Sequence, residues 1–126
     1  MSPLVIDASV VVRALLPADR AEKKEHDRAL ALWTLASAGD REVLQPPHWL
    51  AEVSGVLARL TEATVRDDVR DLHALALPVE NSLEMYSLAT DIALELRHHR
   101  SDTLYHATAL TMPDGLLVTA DARYYR

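Results

Sequence analysis

The chain of 126 residues contains no cysteine. Disulfides and thiolate metal sites are therefore excluded, and any metal must be held by oxygen or imidazole, which restricts it to hard or borderline cations. Lysine is almost as scarce. Lys23 and Lys24 are the only two, and both stand in one charged run. No apolar run approaches the roughly 20 residues of a membrane span. The N-terminal apolar run lacks a preceding basic region and is too short for a signal peptide, so the expectation is a cytoplasmic protein with no membrane partner. Positive charge is also in deficit. Thirteen Lys and Arg face nineteen Asp and Glu, for a net charge of −6. That balance argues against a simple electrostatic binder of nucleic acid, although a bound metal can offset a local acidic cluster.

What is present is ordinary soluble composition, 49% hydrophobic and 25% charged. The length suits a single domain over residues 1–126 with a real core. The most informative stretch is the first. Leu4, Val5 and Ile6 run into Asp7, Ala8 and Ser9, which reads as a short buried strand with a carboxylate at its carboxyl tip. The pattern recurs late, where Leu116, Leu117 and Val118 lead through Thr119 to Asp121. In open α/β sheets, the carboxyl ends of the strands are where ligands bind.

Between these strands the signals are mostly helical. Residues 10–16 make a short helix stopped by Pro17, and a longer one runs from about Arg20 to Ala38, closed by Gly39 and Asp40. Residues 42–45 read as a second strand ended by Pro46 and Pro47, followed by a helix from about His48 to Glu62. Thr64 with Asp67 resembles a capping box for a helix to about Ala76. Pro78 and Val79 form a weak third strand, and Ser82 caps a helix from about Leu83 to His98. Ser101 and Asp102 open another helix. Pro113, Asp114 and Gly115 then turn the chain into the last strand: Pro fixes φ, Asp caps its own backbone, and Gly tolerates positive φ. Strands separated by helices imply parallel pairing with right-handed crossovers, so the fold class is α/β with helix in excess.

Four acids stand out by context: Asp7, Glu52, Asp102 and Asp121. Each has a bland explanation. Asp7 or Asp121 can cap the next helix, Asp102 can favour a helix dipole, and Glu52 can be a solvated edge residue or pair with Arg59. Together they weigh differently, because strand tips and helix starts of such a sheet face one edge. Four carboxylates there would repel one another unless a cation sat among them, and a hard divalent cation wants oxygen ligands. Such a cation suits phosphodiester hydrolysis. Receiver and dehalogenase-like phosphatase chemistries fit poorly. Both need a lysine that is missing, and the second needs Asp-x-Asp where this chain has Asp7-Ala8-Ser9.

At these residues the chain resembles a PIN domain of the VapC toxin type. The resemblance rests on Asp7-Ala8-Ser9 after the first strand and Glu52 on the helix after Pro46-Pro47. It rests equally on Asp102 in Ser101-Asp102-Thr103-Leu104-Tyr105-His106-Ala107, and on Asp121 in Leu117-Val118-Thr119-Ala120-Asp121. It implies a three-layer α/β/α fold around a short parallel sheet, and an endoribonuclease dependent on Mg²⁺ or Mn²⁺. The catalytic and metal-holding set would be Asp7, Glu52, Asp102 and Asp121, with Ser9 and Thr119 as supporting hydroxyls. Implied partners are an RNA substrate such as tRNA or ribosomal RNA, a VapB-type antitoxin, and a second copy in a homodimer. The alternative is a non-catalytic PIN-like binding module. Members of the family usually carry a helix and a final edge strand after the fourth acid, whereas this sequence ends at Arg126, so that strand is expected to be missing. Arg13, His99, Arg100, His106 and Arg123 are candidate RNA contacts. His106 follows Asp102 at i+4 and would share its helix face.

Overall fold

The computed structural model describes residues 3–17, 23–96 and 100–119, with the backbone alone for Leu96 and residues 100–102. The elements run β1 (Leu4–Ile6), α1 (Ala8–Leu15), α2 (Lys23–Ser37), α3 (Trp49–Leu60), α4 (Val65–Ala74), α5 (Leu83–Leu96), α6 (Arg100–Leu110) and β2 (Leu116–Val118). The protein is thus helix-rich around a short parallel sheet, compatible with the α/β class.

The two strands at opposite ends of the chain pair in parallel, with Leu4 beside Leu116, Val5 beside Leu117 and Ile6 beside Val118. The ladder extends one step further, because Asp7 N donates to Val118 O at 2.9 Å. This register sets Asp7 next to Thr119 at the same strand ends. The expected second and third strands shrink to single parallel bridges, Leu4 with Val43 and Gln45 with Val79. Proline is the physical reason. Pro46 and Pro47 offer no N–H after Gln45, and Pro78 offers none before Val79, so neither ladder can lengthen.

A side chain repairs the gap. Gln45 is fully buried. Its Oε1 accepts from Ile6 N at 2.8 Å and its Nε2 donates to Ile6 O at 2.9 Å. The amide copies the pair of bonds that a neighbouring strand would give. Both polar groups of Ile6 are thereby satisfied in the core.

Helix α1 holds Val10, Val11 and Val12 in succession, all buried. Three β-branched residues are poor helix formers, so burial against α2 and α3 decides the conformation here over local propensity. The helix begins at Ala8, two residues before the expected start. It stops at Leu16, whose ψ of 143° is the extended conformation forced by Pro17. The main core joins β1, α1, Trp33 and Ala36 of α2, Trp49, Val53 and Leu57 of α3, and Tyr105 and Ala109 of α6. Trp33 and Trp49 meet with ring centroids 6.3 Å apart. A second cluster packs Leu104 and Ala107 of α6 on Met85 and Ala89 of α5. Helix α6 is therefore held on two sides.

Several boundaries differ from the sequence reading. Helix α4 ends at Ala74, and Ala76 takes a left-handed φ of 50°, which ends the helix where periodicity alone would continue it. Thr64 occupies the N-cap of α4 but makes no side-chain cap bond, so the proposed box with Asp67 does not form. Ser82 does cap α5, its Oγ accepting from Met85 N at 3.1 Å. In the turn before β2 the positive φ belongs to Asp114, at 59°, and not to Gly115. Glycine is needed there for a different reason, since a Cβ on Gly115 would overlap the Ala109 carbonyl.

Candidate functional site

Asp7 occupies the N-cap of α1 yet makes no side-chain cap bond. The bland reading of this acid as a helix cap is thereby removed. Its carboxylate faces the other way, along the sheet edge. Oδ2 accepts from Ser9 Oγ at 2.9 Å and from Thr119 Oγ1 at 2.6 Å, and the two hydroxyls lie 3.5 Å apart. All three residues are half-buried. The parallel register supplies Thr119, and the first turn of α1 supplies Ser9. Both hydroxyls bind one oxygen, so Oδ1 has no hydrogen-bond partner among the described residues. A carboxylate with one oxygen held and the other without such a partner can serve as a monodentate ligand for a hard cation.

Glu52 lies in the first turn of α3. Its Oε2 sits 3.1 Å from Nε2 of His48, one turn earlier, and both side chains are about a quarter exposed, at 26% and 28%. The distance suits a hydrogen bond but the angle does not, so both ring nitrogens of His48 are shielded from water without a hydrogen-bond partner among the described residues. The ring also meets Tyr105 of α6 edge-on, with centroids 5.0 Å apart. His48 was missed by sequence reasoning. The signal available was a His and a Glu spaced i, i+4 directly after two prolines.

Asp102 falls in α6, one turn before Tyr105 and His106, but its side chain lies outside the described residues, as does that of Arg100. Asp121, His99 and Arg123 also lie outside them. Of the four acids, then, only Asp7 and Glu52 can be placed in full. No three His, Asp or Glu side chains stand together as metal ligands among the described residues. His106 is half-buried, and desolvation lowers its pKa from the usual value of 6.5, favouring the neutral ring. Arg13, in the last turn of α1, lines a cavity of about 310 Å³ together with Arg28, Leu32, Val118 and Thr119. Arg13 therefore lines the same cavity as Thr119, the residue whose hydroxyl holds Asp7, and Glu25 lines it as well. No helix among the described residues is long and apolar enough to cross a membrane.

The chain matches no protein-family model, and a search of curated proteins finds no match.

Proposed function

We propose that the protein is a PIN-like endoribonuclease dependent on Mg²⁺ or Mn²⁺, acting as the toxin of a toxin–antitoxin pair. The observation that carries this reading is the support given to Asp7. Two hydroxyls, one from the first turn of α1 and one from the end of β2, hold one carboxylate oxygen at 2.9 and 2.6 Å, and the side chain declines the helix cap beside it. Such support orients a ligand, because the partners of a coordinating carboxylate fix its direction and basicity.

In this reading Asp7, Glu52, Asp102 and Asp121 together hold the cation. All four are oxygen donors, the chemistry that Mg²⁺ and Mn²⁺ require in a chain without cysteine. When bound, the cation activates water and stabilises the leaving oxygen in phosphodiester hydrolysis. The chain's own residues do the rest. Ser9 and Thr119 keep Oδ2 of Asp7 engaged, which leaves Oδ1 for the cation. Arg13, beside Thr119, contacts RNA phosphate, and His99, Arg100, His106 and Arg123 extend that contact. The substrate is a small structured RNA such as tRNA or a ribosomal RNA segment, the regulator is a VapB-type antitoxin, and the active form is a homodimer.

The direct test is incubation of tRNA and ribosomal RNA with the purified protein and Mn²⁺. Internal cleavage is expected, and it should stop with EDTA and in the variant Asp7→Asn. Cleavage that survives Asp7→Asn would contradict the reading. RNA binding with no cleavage would favour a non-catalytic binding module instead.

A further inference from the structure

The carboxylate of Asp7 is oriented by hydroxyls. Glu52 has no hydroxyl among its described partners, and its described partner is His48. His48 is unusual in three ways. It stands at the N-cap of α3, yet it gives that helix no side-chain cap bond. Its two ring nitrogens are shielded although the side chain is partly exposed. Its ring lies edge-on against Tyr105, which is almost fully buried in the main core and sits one turn after Asp102 on α6. A histidine used only for packing has no reason to set Nε2 3.1 Å from a carboxylate oxygen. One used only to cap would bond the helix backbone.

We propose that His48 is a positioning residue that holds Glu52 for the divalent cation, with Tyr105 fixing the plane of its ring. This rests on the metal-dependent reading above. The imidazole donates from Nε2 to Oε2 of Glu52. The present 3.1 Å approach, short of hydrogen-bond alignment, closes into a bond when Glu52 takes up its ligand geometry, because site hydrogen bonds are often poorly aligned before the ligand arrives. The ring then stiffens one ligand from α3 and braces α3 against the helix that carries Asp102. Loss of a partner that orients a metal ligand typically costs about 10- to 100-fold in metal affinity.

The test is isothermal calorimetry with Mn²⁺ alone at one fixed pH, on the full chain. The variant His48→Phe keeps the aromatic contact with Tyr105 and removes both nitrogens. His48→Gln restores a donor at similar reach. Mn²⁺ affinity should fall about tenfold or more in His48→Phe and stay within about threefold of wild type in His48→Gln. In a Glu52→Gln background, His48→Phe should have no further effect, which keeps the test valid even if the single variant is poorly folded. Unchanged affinity in His48→Phe, an equal loss in His48→Gln, or an undiminished effect in the Glu52→Gln background would each overturn the proposal. Asp7→Asn separates the two ideas. If it abolishes Mn²⁺ binding while His48→Phe does not weaken it, the metal site stands and the role of His48 falls. If Asp7→Asn also binds Mn²⁺ normally, the metal reading itself fails, and the proposal with it.

Discussion

Asp7 and Glu52 are both half-buried carboxylates at the beginning of a helix, yet the fold holds them by different means. Asp7 sits at a strand tip, where the end of the paired strand offers Thr119 at fixed register and the first turn of α1 offers Ser9, and it receives two hydrogen bonds. Glu52 sits on a helix, where its neighbours are one turn away, and its described partner is an aromatic ring wedged against another helix. The comparison teaches that a strand tip positions a side chain through the sheet's own geometry. A helix must recruit a residue of suitable length and brace it from outside. The two regions meet at Gln45. Its side chain ties Ile6, just before Asp7, to the segment that leads through Pro46 and Pro47 into His48.

The largest effect should come from Asp7→Asn. RNA cleavage should fall by at least about 100-fold, equivalent to roughly 2.7 kcal/mol of transition-state stabilisation. The metal-free melting temperature should stay the same or rise, since the carboxylate makes no cap bond to lose and the amide oxygen of Asn can still accept from Ser9 and Thr119. A clear drop in that temperature would move Asp7 from ligand to structural support. Gln45→Leu comes next and strikes both regions at once. It strands the N–H and C=O of Ile6 in the core and should cost about 2–4 kcal/mol in urea unfolding. A loss under about 1 kcal/mol would mean that the segments find other partners.

Thr119→Val and Ser9→Ala divide the strand-tip support into its parts. Thr119 makes the shorter bond and comes from the distant strand, so its loss should weaken Mn²⁺ binding about tenfold. Ser9→Ala removes the longer, local bond and should cost less, about threefold. Reversed magnitudes would show that the first turn of α1, not the parallel register, orients Asp7.

The smallest effect concerns pH. His106 has its pKa lowered by burial in the folded protein, so below pH 6.5 the unfolded chain binds more protons than the folded one. Stability should therefore fall as the pH drops below 6.5, and level off once the folded-state pKa has been passed. Comparing urea midpoints of wild type and His106→Gln across pH 7.5 to 5 checks this, with a shallower slope expected for the variant.

The parts of this picture that were legible in the sequence are those set by local pattern. An apolar run with two β-branched residues ending in an acid announces β1 and Asp7, and two such runs separated by helices announce parallel pairing. Ser82 was legible as a cap because capping is a contact over three residues. What periodicity could not reveal depends on contacts far apart in sequence. Gln45 reads as one more strand residue until Ile6, 39 positions away, is seen to need it. Gly115 reads as a turn residue that tolerates positive φ, and it does lie in the turn, but it is the crowding Ala109 carbonyl that requires a glycine there. His48 reads as the start of a helix until Tyr105 arrives from α6. Thr64 shows the opposite failure, where a correct capping pattern makes no cap because the residue adopts helical φ and ψ.

The central claim is that Asp7 is presented as a metal ligand. Thermal unfolding of wild type and Asp7→Asn, each with and without millimolar Mn²⁺, tests it most directly, because a ligand that binds only the folded state must raise its melting temperature. The account predicts a rise of several degrees for wild type and none for Asp7→Asn. An equal rise in both, or no rise in a wild-type protein that is otherwise folded, would contradict it.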